Sequence, residues 1–149
     1  MKLFRQVGIL ILLAAAVAAG LRAWQPAGLD WNGPALRPGE VTLAQARAFA
    51  RNRLVLWVDA RSADAFAAGH APGAVNLKLA AWDTDFPGLL KVWQPESVIL
   101  VYCDDQACGA STAVAERLRA AGLPEVYVLS GGWAAAQAEL ENGKWRAQP

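Results

Sequence analysis

The feature that most constrains this chain is a strand, a loop and a helix with a thiol at the first turn. The apolar run Val-Ile-Leu-Val-Tyr at 98–102 ends at Cys103, a polar loop follows, and a helical pattern covers 112–121. In an open α/β sheet, ligands bind at the carboxyl ends of the strands, where loop amides and a helix N-terminus create a positive potential. Such a position favours a thiolate, which is the nucleophilic form of cysteine.

The composition of the loop favours a reactive Cys103 over a packed one. Free cysteine is often buried, but the residues after Cys103 are of types that belong on a surface, so we expect a partly exposed catalytic thiol. The expected active-site loop consists of Asp104, Asp105, Gln106, Ala107, Cys108, Gly109, Ala110 and Ser111. Its amide N–H groups are expected to stabilise negative charge on the sulfur. The two carboxylates are expected to point to solvent, because inward carboxylates would disfavour the thiolate.

The charge balance and the cysteine count exclude two classes of function. With 149 residues, 14 basic and 13 acidic side chains and a formal charge of +1, the chain has room for one domain and an appendage, and it lacks a basic field for nucleic acid. Two cysteines and one histidine, His70, are too few for a closed structural zinc site without carboxylates. We therefore expect neither a nucleic-acid partner nor a metal.

Residues 1–23 are predicted to form a signal peptide or a hydrophobic membrane-anchor helix. A short basic leader precedes residues 7–21, which are uncharged and apolar or small. The length of this run and the small residues near its end suit a cleaved signal, whereas Arg22 and Trp24 suit an anchor over residues 7–24. Both interpretations place the remainder outside the cytoplasm, on the periplasmic or extracytoplasmic side, with membrane contact through the N-terminal segment.

The remaining sequence is predicted to be a linker followed by one α/β domain. Proline and glycine recur every few residues over 24–39, which is typical of an extended linker, and the globular domain covers 40–149. Strand and helix patterns then alternate, which predicts a doubly wound parallel sheet of about five strands flanked by helices. Strands are predicted over 54–59, 75–77, 98–102 and 126–129, and helices over 43–50, 63–68, 86–93, 112–121 and from the Gly131-Gly132 turn to near Asn142.

Three segments, in the right order, resemble the rhodanese family. Val-Asp-Ala-Arg-Ser at 58–62 and the segment 66–77 resemble its first signature, Tyr-Cys with Ser111 resembles its active-site loop, and 128–133 resembles its closing segment. The resemblance covers about residues 40–142 and implies a rhodanese-like fold. It also implies a sulfurtransferase that carries sulfane sulfur as a persulfide on Cys103, from thiosulfate or a persulfide donor to a thiol or cyanide acceptor, without a cofactor.

One departure from the family pattern lies inside the loop. Many family members carry an arginine next to the serine, where this chain has Gly109 and Ala110 before Ser111. An in-loop guanidinium is therefore missing. Phosphatases of the same fold need an arginine six residues after the cysteine, so Gly109 excludes phosphate-ester chemistry.

Cys108 is the second departure, and three interpretations of it stay open. It is a passive loop residue, a resolving thiol that closes a disulfide with Cys103, or a second sulfur carrier. The alternative function is accordingly a non-catalytic rhodanese-like binding module, or a thiol–disulfide relay through both cysteines that delivers to an envelope protein partner.

Five residues are expected to support the loop rather than to react. Asp59 and Arg61 are predicted to form an organising polar pair at the end of a strand. His70 is predicted to hydrogen-bond the backbone of its turn. Gly131 and Gly132 are predicted to allow close approach of the backbone beside the loop.

Overall fold

The chain separates into two compact units, Met1–Pro34 and Ala35–Pro149. A computed structural model describes Gln6, residues 36–104 and residues 109–141. The described elements are β1 (Glu40–Val41), α1 (Leu43–Asn52), β2 (Val55–Asp59), α2 (Ala63–Ala68), β3 (Val75–Asn76), a 3-10 turn (Leu79–Ala81), α3 (Trp82–Val92), β4 (Val98–Tyr102), α4 (Gly109–Ala120), β5 (Val126–Leu129) and α5 (Gly132–Glu141).

The five described strands form one sheet in the order β1-β5-β4-β2-β3. All four pairings are parallel, and β4 lies in the middle with β2 on one side and β5 on the other. This confirms the predicted α/β architecture with a parallel sheet flanked by helices. Because parallel strands end at the same edge of a sheet, the residues that follow β2, β4 and β5 lie close together at the carboxyl edge.

Strand β4 is buried on both faces, which explains its uninterrupted apolar sequence. Ile99 and Val101 pack on one face with residues of α3 and α4. Leu100 and Tyr102 pack on the other face with residues of α1 and α5. Each fully buried large apolar side chain contributes about 1.5–3 kcal/mol, so this strand anchors both halves of the core.

Two helices begin at hydrogen-bonded caps directly after their strands. Thr42 accepts a hydrogen bond from the Gln45 N–H at 3.3 Å, and the Gln45 side chain accepts one from the Thr42 N–H at 2.8 Å. The Ser62 hydroxyl accepts one from the Ala65 N–H at 3.2 Å. These caps satisfy helix N–H groups that lack intrahelical partners, and they fix α1 and α2 to start at the carboxyl edge.

The structure differs from the sequence prediction mainly at two elements. Helix α3 begins at Trp82, four residues before the predicted start, even though it contains Pro87. The stacking of Trp82 on Phe86, with ring centroids 4.6 Å apart, stabilises this first turn. Strand β1 was not predicted at all, since it comprises two residues and exists through its pairing with β5.

The predicted signal or anchor helix and most of the predicted linker lie outside the described residues. Within the described part of the chain, no helix combines the length and the apolar character needed to cross a bilayer.

Candidate active site

The candidate site lies at the carboxyl edge of the sheet, at the end of the central strand. Cys103 directly follows β4, and its side chain belongs to the same buried cluster as Ile99 and Val101, facing α3 and α4. Its sulfur lies 3.4 Å from the hydroxyl oxygen of Ser111, which is also buried and stands in the first turn of α4. The N-terminal end of α4 thus approaches the sulfur, where the helix dipole favours negative charge.

Cys103 is oxidised and buried in this structure. It is disulfide-bonded, the chain has one other cysteine, Cys108, and Cys103 is only 1% exposed. The expectation of a partly exposed thiol is therefore not met in this form. The physical reason is that Cys103 continues the alternation of β4, which directs its side chain into the core under α4.

Helix α5 fixes the backbone at Cys103. The Trp133 N–H donates a hydrogen bond to the Cys103 carbonyl oxygen at 2.6 Å. Gly132 has a φ of +56°, and a Cβ atom at this position would lie 2.5 Å from the same oxygen and 2.9 Å from the Asp104 carbonyl oxygen. A side chain at residue 132 would therefore displace the start of the loop. Gly131, with a φ of +85°, forms the turn into α5.

Asp59 and Arg61 form a buried ion pair at the carboxyl end of β2. The Arg61 Nε donates hydrogen bonds to both carboxylate oxygens of Asp59, and its Nη2 donates to Oδ2 at 2.8 Å. Nη2 also donates to the Gly69 carbonyl oxygen at 2.6 Å. Burial alone would lower the pKa of Arg61, but the hydrogen bonds and the charge of Asp59 raise it above its ordinary value. The guanidinium is therefore fixed as a cation.

Aromatic rings enclose this ion pair on the face opposite the sulfur. The Arg61 guanidinium lies 4.7 Å from the Trp133 ring centroid and 5.7 Å from that of Tyr102. The Tyr102 hydroxyl accepts a hydrogen bond from the Ala71 N–H at 3.1 Å. Burial, together with a hydrogen bond to Asp59, raises the pKa of Tyr102 far above its ordinary value. The phenol therefore stays neutral and structural.

Asp104 connects the ion pair to the loop. Its side chain is 71% exposed, and its Oδ1 lies 3.6 Å from Nη1 of Arg61. The carboxylate thus points to solvent and toward Arg61. Asp105, Gln106, Ala107 and Cys108 lie outside the described residues, whereas Gly109 and Ala110 form the start of α4.

His70 lies in the turn between α2 and β3. Its Nδ1 is 2.9 Å from the Phe66 carbonyl oxygen, and its ring stacks on Phe66 with centroids 3.8 Å apart. The side chain thus contacts its own turn. Among the described residues, no three His, Cys, Asp or Glu side chains are grouped so that they could hold a metal ion.

Three residues of the site were not singled out from the sequence. Tyr102 and Trp133 enclose Arg61, and the Asn76 amide donates hydrogen bonds to the carbonyl oxygens of Asp59 and Arg61 at 2.9 and 3.0 Å. Each of them lies in a segment that carries the family resemblance, and each follows or ends an apolar strand or a glycine pair. Their roles depend on which strands are neighbours, which the sequence does not state.

Comparison with known proteins agrees with this geometry. The sequence profile of the Rhodanese-like domain matches residues 42–139. A crystal structure of a Bacillus halodurans protein is 25% identical, with a TM-score of 0.55 over 68% of this chain and 72% of that chain. A rhodanese-like domain protein from Staphylococcus aureus is 21% identical, with a TM-score of 0.51 over 65% of this chain and 89% of that chain.

A rhodanese-related protein from Thermoplasma volcanium shares the fold as well. It is 18% identical, with a TM-score of 0.51 over 70% of this chain and 92% of that chain. The profile match covers well over half of the sequence and includes every described strand except β1. The chain therefore belongs to the rhodanese-like domain family.

Proposed function

We propose that this domain is a sulfurtransferase that carries sulfane sulfur as a persulfide on Cys103. The observation that carries the proposal is the position of the Cys103 sulfur. It lies at the carboxyl end of the central strand, 3.4 Å from the Ser111 hydroxyl at the start of α4. A hydroxyl and a helix N-terminus next to a thiol favour its anionic, nucleophilic form.

The catalytic cycle begins with reduction of the disulfide. A dithiol reductant takes up the oxidising equivalents, leaving Cys103 as a thiolate and the reductant as a disulfide. The thiolate then attacks the outer sulfur of the donor. With a persulfide donor, a new S–S bond forms on Cys103, the S–S bond of the donor breaks, and the donor thiolate leaves. With thiosulfate, sulfite leaves instead.

The second half-reaction returns Cys103 to the thiolate. An acceptor thiolate or cyanide attacks the outer sulfur of the Cys103 persulfide, and the Cys103 sulfur is the leaving group. Two half-reactions through one covalent intermediate predict ping-pong kinetics. Ser111 is assigned the role of donating a hydrogen bond to whichever sulfur of Cys103 carries the charge.

The decisive experiment is intact mass measurement after reduction, removal of the reductant and incubation with a sulfur donor. We expect a gain of one sulfur atom in the wild-type protein and no gain in Cys103→Ala. The matched control is Cys108→Ala, which should still gain the sulfur. Alkylation of the reduced protein at Cys103 tests whether small reagents reach the sulfur. A wild-type protein that is alkylated at Cys103 but gains no sulfur from any donor contradicts the proposal.

A thiol–disulfide relay is the second candidate, and the disulfide at Cys103 favours it specifically. In this function, Cys103 and Cys108 exchange two electrons with a partner thiol pair and no sulfur is transferred. The same mass experiment separates the candidates, because the relay predicts loss of two hydrogens on oxidation and no added sulfur. A non-catalytic binding module predicts neither change.

An exported location is part of the proposal. The basic leader and the uncharged run over 7–21 support export, with an anchor over 7–24 or a cleaved signal as the two forms. An oxidising compartment agrees with a disulfide at Cys103, and an envelope protein is then the proposed partner. The intact mass of the protein from native membranes distinguishes the two forms, and recovery in the cytoplasm contradicts export.

A further inference from the structure

The first turn of α4 lies against the Cys103 sulfur. Cys103 is 1% exposed and Ser111 is 3% exposed. The Ser111 hydroxyl oxygen lies 3.4 Å from the sulfur, and Ala110 packs against the buried cluster that contains Cys103. A sulfur donor has to touch the thiolate in order to react with it, so some of the residues around Cys103 have to move first.

Most of the cluster that contains Cys103 is firmly anchored. Val101 belongs to β4, which is hydrogen-bonded to a neighbouring strand on each edge. Leu89 of α3 and both Val114 and Leu118 of α4 are 0% exposed members of the same cluster. Movement of any of these residues would expose large apolar side chains to water, which is unfavourable.

The first turn of α4 is held by much less. Gly109 is exposed, has no side chain, and a Cβ atom added there would meet nothing within 4 Å. Ala110 is half-buried and contributes only one methyl group to the packing. The first N–H groups of a helix lack intrahelical acceptors, and helix ends open at a lower free energy than buried elements do. Glycine weakens the helix further.

We propose that residues 109–111 are a lid over the Cys103 sulfur, which opens when the first turn of α4 unwinds, and that glycine at position 109 keeps the closed lid only weakly favoured. The inference rests on the proposed sulfur transfer and names how access to the same site is controlled. The open lid admits the donor and later the acceptor. The closed lid returns the Ser111 hydroxyl to the sulfur. Val114, which is fully buried, marks the point beyond which α4 stays folded.

The test compares two glycine substitutions in the reduced full-length protein. Every protein also carries Cys108→Ala, so that Cys103 is its only thiol. The two variants are Gly109→Ala in the lid and Gly88→Ala in α3. Both glycines are exposed helical residues without a positive φ, and an added Cβ atom meets nothing within 4 Å at either position. Both substitutions should stabilise their helices by similar amounts, but only one of the helices covers the sulfur.

We expect Gly109→Ala to lower the rate of Cys103 alkylation by iodoacetamide about threefold, because the open lid becomes rarer. The larger reagent N-ethylmaleimide should slow by the same factor, whereas steric shielding by the new methyl group would slow it more. The pH midpoint of alkylation should not change, since the closed lid keeps the Ser111 contact. Sulfur gain from thiosulfate or from the persulfide of 2-mercaptoethanol should slow by the same factor as alkylation. Gly88→Ala should change none of these rates.

Three results would overturn the lid. Equal slowing in Gly109→Ala and Gly88→Ala would show that the sulfur is reached through global unfolding. Unchanged rates in Gly109→Ala would show that the first turn of α4 does not control access. A stronger effect on N-ethylmaleimide than on iodoacetamide would reduce the effect to shielding.

These failures are distinguishable from a failure of sulfur transfer, because alkylation needs no sulfur donor. If Cys103 gains sulfur but the alkylation rates contradict the lid, sulfur transfer stands alone. If the alkylation rates follow the expected pattern and no donor loads Cys103, the lid stands and sulfur transfer is wrong.

Discussion

Tyr102 and Cys103 are neighbours in sequence, yet they belong to two very different surroundings. The Tyr102 side holds a dense polar network in which the ion pair of Asp59 and Arg61 is enclosed by aromatic rings. On the Cys103 side, the sulfur lies among apolar residues with the Ser111 hydroxyl beside it. Because alternate residues of a strand face opposite ways, the end of β4 separates the ion-pair network from the proposed nucleophile.

From this difference we infer that one face of the strand end serves stability and the other serves the proposed chemistry. Changes on the network side should lower the free energy of unfolding and leave the chemistry of the folded fraction intact. Changes on the sulfur side should alter reactivity with little loss of stability. The following variants test this division.

The largest effect is expected from Arg61→Met. It leaves the carboxylate of Asp59, which is 0% exposed, without its cation, so the free energy of unfolding should fall by about 3–5 kcal/mol. Urea denaturation of the oxidised protein measures this. The double variant Asp59→Asn with Arg61→Met removes both charges and should recover part of the loss. A single variant as stable as the wild type would contradict the structural role.

Gly132→Ala should have the next largest effect, because Gly132 contacts the backbone of Cys103, which lies between the network side and the sulfur side of the strand end. The added Cβ would approach the Cys103 carbonyl oxygen to 2.5 Å at a φ of +56°, and we expect a loss of about 3 kcal/mol from crowding and backbone strain. Gly73→Ala is the matched control, since Gly73 also has a positive φ but no atom lies within 4 Å of its added Cβ. Its loss should be about 1 kcal/mol. Equal losses in thermal or urea unfolding would show that the close approach carries no cost.

Ser111→Ala should change chemistry more than stability. Removing the hydroxyl 3.4 Å from the sulfur should lower the rate of persulfide formation about tenfold and raise the pH midpoint of Cys103 alkylation. The free energy of unfolding should change by less than about 1.5 kcal/mol. Thr112→Ala removes the neighbouring hydroxyl as a control and should leave the alkylation profile in place. An unchanged profile in Ser111→Ala would remove this residue from the mechanism.

Tyr102→Phe should have the smallest effect at neutral pH, about 1 kcal/mol from the lost hydrogen bonds. Its signature is at high pH. Because the pKa of Tyr102 is raised in the folded protein, the contribution of this residue to the free energy of unfolding is complete below pH ~10, the ordinary tyrosine value. It is lost above that pH, because the unfolded chain releases a proton that the folded chain retains.

The slope from this one residue is about 1.4 kcal/mol per pH unit. Urea unfolding between neutral and alkaline pH should therefore show a shallower decline in Tyr102→Phe than in wild type. Tyr127→Phe is the control. Burial and a hydrogen bond to Glu125 also raise the pKa of Tyr127, but that residue is only half-buried, so its substitution should change the slope less than Tyr102→Phe does. Identical slopes in wild type and Tyr102→Phe would contradict the assignment.

Local signals in the sequence predicted much of the fold. The apolar run at 98–102 and the cap at Ser62 place β4 and α2 at the observed boundaries, because strand burial and helix capping act over a few residues. Strand β1 could not be predicted, since two residues carry no periodicity and their pairing partner lies in β5. The start of α3 was missed because Pro87 suggests a helix boundary, whereas the Trp82–Phe86 stack favours the helix.

The sequence was less informative about the site. The position of Cys103 directly after β4 could be predicted, because the apolar run ends at this residue. The pairing of Asp59 with Arg61 could be predicted from their opposite charges. The burial of the Cys103 side chain was not foreseen, because whether a residue just beyond a strand faces core or solvent depends on the helix that covers it. The enclosure of Arg61 by Tyr102 and Trp133 depends on contacts between segments far apart in sequence.

The hydrogen bonding of β4 on both of its edges has a practical consequence. The register of β4 against β2 and β5 fixes the backbone position of Cys103, which directly follows β4. The backbone position of Cys103 is accordingly set by the sheet and not by the residues that follow it. Libraries that vary the sequence of residues 105–108 should therefore change which molecules reach Cys103. The backbone position of Cys103 should stay constant in such libraries.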